Sequence, residues 1–148
     1  MKNHIRDYAT EAFRFYAKIN MSADKYKQKI YDEALFNYKK KMKGLGISFP
    51  VESAIIAAEN EVTQKLAEIK DMEAVEMTMA ELRASHKMWI IRAIEIVYFK
   101  DADKELEKGN IHDRAHTAEL DIPASERSVY YYLSEARYIF AEHRGLRL

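Results

Sequence analysis

His112 and His116 stand four residues apart, close enough for both imidazoles to share one face of a helix. That is zinc-ligand spacing, and it matches the two histidines of the H-E-x-x-H pattern. The general-base glutamate of that pattern is replaced by Asp113, and no obvious third ligand is placed nearby. The pair therefore reads as surface histidines, with no metal and no cofactor expected. Asp101, Asp103, Glu105 and Glu107 alternate as calcium ligands do. Leu106, however, holds the sixth position, where such a loop needs glycine. An exposed acidic connector is the better reading. Other catalytic chemistry is missing: there is no Gly-rich phosphate loop, no G-x-S-x-G, no cysteine nucleophile and no carboxylate pair set for acid–base work. The chain is read as a non-enzyme.

Two stretches hold residues suited to nucleic acid. Near the N-terminus lysines alternate with aromatics: Lys25, Tyr26, Lys27, Lys29, Tyr31, Tyr38, Lys39, Lys40 and Lys41. Such interleaving can bind a phosphate backbone, although a solvated helix face is the better reading. Near the C-terminus stands SERSVYYYLSEARYIFAEHRGL, residues 125–146. On a helix, Val129, Leu133, Ala136 and Phe140 form an inward stripe, with Tyr132 and Ile139 beside it. Glu126, Arg127, Ser128, Tyr130, Tyr131 and Ser134 are left outward. Arg127 can read guanine or grip phosphate. Ser128 and Tyr130 can donate to phosphates or base edges, and Tyr131 can lie against a sugar or a thymine methyl. Three consecutive tyrosines cannot all be core, because steps of about 100° spread them around the helix.

These residues need helices to position them, and the composition supplies little else. The chain has four glycines and two prolines in 148 residues, so long stretches run unbroken and strand-turn-strand spacing is missing. An all-α fold of five or six helices follows. The first helix spans Asn3 to about Ile19, with Ile5, Tyr8, Ala12, Phe13, Tyr16 and Ile19 on one face. Ser22 caps the second, which runs to about Lys43 and turns Tyr26, Ile30, Ala34, Leu35 and Tyr38 inward. From Val51 a narrow seam of Ile55, Ala58, Val62, Leu66 and Ile69 suits an antiparallel hairpin. A break is expected at Lys70-Asp71, with Asp71 as cap. One long helix should then reach Phe99, with Trp89, Ile94 and Val97 central and Met72, Met79 and Met88 filling the core. Asn110 and Asp113 suit a capping box for a short helix to about Leu120. Ser125 caps the last helix, and Gly145 ends it.

Charge is balanced overall, with 24 Lys and Arg against 24 Asp and Glu, which excludes a strongly basic nucleic-acid binder as a whole-chain description. It is uneven locally. Residues 1–50 hold 11 basic against 5 acidic residues, residues 51–110 hold 8 against 13, and residues 111–148 hold 5 against 6. At 48% apolar the chain can build a core, and at 32% charged it is too polar for a membrane protein. No stretch approaches ~18 apolar residues. The lack of cysteine excludes disulfides and suits a reducing cytoplasm. The N-terminus lacks the apolar run of a signal peptide.

A short helix, a turn and a longer helix is the pattern of a helix-turn-helix, whose second helix enters the DNA major groove. The last helix resembles the recognition helix of sigma-factor region 4-like domains. It is more closely similar to phage late transcriptional regulators of the RinA and ArpU type, which share S-x-R-T-V-Y-x-x-L-x-x-A-R followed by a helix ending in Gly-Leu. Ser125, Arg127, Val129, Tyr130, Leu133, Ala136, Arg137 and Gly145-Leu146 match, and Ser128 stands where Thr is usual. Residues 90–99 also resemble the core helix of that group, and residues 5–17 resemble the opening of related proteins from Gram-positive bacteria and their phages. Pro123-Ala124 is a departure that lengthens the turn.

The resemblance implies a phage or prophage transcription regulator that binds double-stranded DNA in the bacterial cytoplasm. The DNA-contacting set is then Glu126, Arg127, Ser128, Tyr130, Tyr131, Ser134 and Arg137. Residues 1–50 would form an arm or hairpin, open to contact with RNA polymerase or a second copy. Residues 51–148 would form the core, with the helix-turn-helix at about 110–144. The alternative is a non-enzymatic phage interaction or assembly protein, packaging-associated and without sequence-specific DNA binding. The simplest form of that alternative is an amphipathic hairpin whose tyrosines pack on other helices.

Overall fold

A computed structural model describes all 148 residues. The chain is all-helical, with seven helices and no strand. They are α1 (Asn3–Ile19), α2 (Ala23–Gly44), α3 (Val51–Gln64), α4 (Leu66–Ala84), α5 (Met88–Ile94), α6 (Asn110–Asp121) and α7 (Glu126–Arg144). A π-helical turn, Glu95–Phe99, continues α5. No helix is long and apolar enough to cross a membrane.

The contacts draw two compact units, residues 1–20 with 71–148, and residues 21–70. This corrects the expected division at residue 50. That position lies inside the α2–α3 connector, and α2 packs on α3. The N-terminal helix belongs instead with the C-terminal half of the chain.

In the first unit, α1 turns Ile5, Ala9, Ala12 and Phe13 inward, at helical spacing. Tyr8, expected on that face, is 38% exposed, and it donates its hydroxyl to Asp71 Oδ1 at 2.6 Å. Phe13 is fully buried and stacks on Tyr98, ring centroids 5.5 Å apart, with Phe140 at 5.6 Å on a tilted plane. Val75, Met79 and Leu82 of α4 and Ile90, Ile91, Ile94 and Val97 join the same core. The wide π turn carries three consecutive side chains inward, Ile96, Val97 and Tyr98.

Several expected boundaries move. The helix break falls at Lys65 rather than at Lys70-Asp71. Asp71 is not a cap: it lies within α4 and accepts from Tyr8 and from Arg144 Nε at 2.7 Å. The long helix expected up to Phe99 is interrupted at Ser85–Lys87, where His86 takes a left-handed φ of 57°. Trp89 and Met88, expected in the core, are 51% and 54% exposed, because the first turn of α5 faces outward there.

Two arginines hold the segment after the π turn. Arg14 is buried and donates to the carbonyls of Tyr98 (3.0 Å), Asp101 (3.2 Å) and Lys104. Arg114 donates to the carbonyls of Val97 (2.9 Å) and Lys100 (2.7 Å). The carbonyls of Val97, Tyr98 and Lys100 stand at a helix end, where intrahelical partners are lacking, and the two guanidiniums satisfy them, while Arg14 also holds the connector at Asp101 and Lys104. Burial, and then the neighbouring Arg114, pull the Arg14 pKa below its ordinary value.

The second unit is a helical hairpin. Ser22 Oγ caps α2, accepting from Lys25 N at 3.2 Å. Connector residues 45–50 return the chain, with Phe49 edge-on to Tyr38 at 5.4 Å. Ala54 and Ala58 are buried on α3. Tyr26 donates to Glu68 Oε2 at 2.7 Å.

Candidate nucleic-acid interface

Positioning of α6 and α7 begins with their ends. Gly109, at φ 89°, precedes α6, a conformation that favours glycine. Asn110 does not form the expected capping box. Its Oδ1 accepts from Glu107 N at 2.6 Å and closes the connector instead. Ile122 is extended and buried, Ala124 packs partly against the core, and Ala124 N bonds Ile122 O at 2.7 Å, so apolar side chains anchor the turn at 122–125. Ser125 Oγ then accepts from Ser128 N at 3.2 Å and caps α7. At the far end Gly145 is left-handed, and Leu146 N reaches Ala141 O at 2.9 Å.

The inward stripe is as expected. Val129, Leu133, Ala136 and Phe140 are buried, and Tyr132 and Ile139 pack partly against the core. Helix α7 packs on α1, α5 and α6. With that face fixed, the first two turns present the remaining side chains outward.

Arg127, Tyr130 and Tyr131 are exposed, Tyr131 at 60%. The Arg127 guanidinium lies 5.6 Å above the Tyr131 ring, and its Nη2 donates to the Tyr131 hydroxyl at 3.2 Å. Glu126, Arg127, Tyr130, Tyr131 and Ser134 line a shallow hollow of about 520 Å³. The Tyr130 pKa is raised by partial burial and by the charge of Glu126.

Two expected members are diverted. Ser128 is half-buried, with its hydroxyl 3.1 Å from that of Ser125, so it belongs to the cap. Arg137 turns inward. Its Nη1 donates to the Tyr98 hydroxyl at 2.8 Å, and its Nε is buried without a partner. It shares a helical face with Tyr130, but at its depth along α7 the Tyr98 hydroxyl lies within reach. Arg127 is then the one arginine in the outward group.

Glu126 is also engaged. His112 Nδ1 of α6 stands 3.0 Å from Glu126 Oε1 and 3.3 Å from the Tyr130 hydroxyl. His116 Nδ1 is 3.6 Å from Glu119 Oε2. The donor atoms of His116, Glu119 and Glu126 all lie within 4.8 Å of one another. Carboxylates thus complete a set around the second histidine that sequence spacing alone did not show. The only early signal was Glu119, three residues after His116 and on its face of the helix.

Comparison with family models, with curated proteins and with solved structures finds no match to this chain.

Proposed function

We propose that the chain is a DNA-binding transcription regulator of the phage type, with α6, residues 122–125 and α7 acting as a helix-turn-helix. The observation that carries this reading is the outward group Arg127, Tyr130 and Tyr131 on the first two turns of a helix whose opposite face is locked in the core. Recognition helices place their N-terminal residues against base edges in the same way. Stacking on Tyr131 holds the Arg127 fork before any partner arrives, which lowers the entropy lost on binding. Arg127 suits guanine or phosphate, and the tyrosines suit sugars, thymine methyls and phosphates. The resemblance at Ser125, Arg127, Val129, Tyr130, Leu133 and Ala136 points the same way. Cytoplasmic action in a bacterial host goes with this proposal.

A second reading, a non-enzymatic interaction or assembly protein, draws on a different observation. The hollow is walled by two tyrosines and holds a single arginine, whereas phosphate neutralisation supplies much of the affinity for DNA. Aromatic hollows of this kind also suit protein anchors.

The test is titration of the purified chain onto duplex DNA from upstream of its own gene neighbourhood, against scrambled duplex, at two salt concentrations. Wild type should prefer the native duplex. The double variant Arg127→Ala with Tyr130→Ala should lose that preference by about tenfold or more. No binding by folded protein would overturn direct DNA reading and leave the protein-contact role.

A further inference from the structure

We propose that His116, Glu119 and Glu126 form a binding site for a zinc-type divalent ion that clamps α6 to the start of α7. This inference does not need the DNA reading, with which it shares only Glu126. Its basis is the convergence of three donors from two helices across one turn, with all ligand atoms within 4.8 Å of one another. Ligand atoms around a tetrahedral zinc sit closer than that, at metal–ligand distances of about 2.0–2.2 Å. The remaining gap is a matter of side-chain rotation, and the His116 side chain is exposed and free to make it. His112, next to Glu126 at 3.0 Å, orients the carboxylate from outside the set, as partners of metal-binding carboxylates do.

The donors choose the ion. One imidazole with two carboxylates favours zinc and its transition-metal neighbours over magnesium, which prefers oxygen ligands and keeps its water. Three protein ligands leave a position open to water. The location gives the ion a structural role. Residues 122–125, lengthened by Pro123-Ala124, are held by the buried Ile122 and the partly buried Ala124, and Glu126 is the first residue of α7. An ion bridging His116, Glu119 and Glu126 would fix the direction in which α7 leaves that turn.

The experiment is calorimetric titration of the chelator-treated full chain with zinc chloride, with magnesium chloride in parallel. One zinc per chain is expected, together with a rise in Tm of several degrees at ~100-fold excess over Kd. Loss of an outer partner alone lowers metal affinity about 10–100-fold, so His116→Ala and Glu126→Gln should each cost at least tenfold. His4→Ala, on an exposed residue of α1, should change nothing. All variants are checked for unchanged helix content by circular dichroism. Absence of one-to-one uptake by wild type, or wild-type affinity in either ligand variant, overturns the site. Equal uptake of magnesium overturns its assignment to a zinc-type ion.

Discussion

The two units are both helical, yet they are filled differently. Residues 1–20 with 71–148 bury large side chains: Phe13, Tyr98, Phe140, Leu82, Leu133 and Met72 are all essentially inaccessible. Residues 21–70 bury Ala23, Ala54, Ala58 and Ile69, while Phe36, Leu45, Ile47, Val51 and Ile56 are exposed. Small buried residues let helices approach closely but contribute little apolar area, and area is what drives burial. The difference teaches where precision is stored. The candidate interface is built on the unit with the large buried side chains. The hairpin has many exposed apolar and basic groups but little core to hold them.

Equivalent substitutions in the two units give the most direct way to break this comparison. Phe13→Ala should destabilise the protein by about 3–5 kcal/mol, because a large ring leaves a cavity among Tyr98, Phe99 and Phe140. Phe36→Ala, on a residue 65% exposed, should stay within about 0.5 kcal/mol. Urea unfolding followed by circular dichroism measures both, and similar losses would show that the hairpin has a core after all. Next in size is Arg14→Met. It keeps apolar bulk but removes the guanidinium from the carbonyls of Tyr98 and Lys104, while Asp101 O keeps its bond from Lys104 N, at a cost of about 2–3 kcal/mol. Hydrogen exchange should quicken most at residues 98–104. Uniform quickening across the chain would show that Arg14 supports the whole core rather than this segment.

Locally encoded features were legible in the sequence. Ser22, Ser125 and Gly145 cap through neighbours within five residues, and the stripe Val129, Leu133, Ala136, Phe140 needs only helical periodicity. The breaks at Lys65 and Ser85–Lys87 carry no proline or glycine, so nothing in the pattern marks them. Arg14 reads as a solvated charge, since its partners are carbonyls 84 to 90 residues away and carbonyls have no sequence signature. Arg137 is expected outward only from the resemblance, but its place depends on Tyr98, 39 residues earlier. Glu126 joins the histidines only because the turn folds α7 back beside α6. Local capping and periodicity are one-dimensional, whereas the polar contacts that shape the candidate sites are long-range.

The smallest expected effect sharpens the comparison at its weaker side. Tyr26 of the hairpin donates to Glu68, and its hydroxyl is pushed up to about 12 by burial and then by that carboxylate. In the unfolded chain the same phenol ionises near its ordinary value of 10.0. The folded state therefore holds the proton more tightly. The stabilisation is fully present below about pH 10 and is lost as pH rises towards about 12. Tyr26→Phe removes both the hydrogen bond and the titration. At neutral pH it should cost under about 1 kcal/mol, since the pair is partly open to water. Thermal unfolding of wild type and variant from pH 8 to 11.5 checks the linkage, and the gap between them should narrow with rising pH. Raised tyrosines of the other unit, Tyr8, Tyr16 and Tyr130, are common to both proteins and cancel in the difference. A constant gap would mean that Tyr26 contributes packing alone.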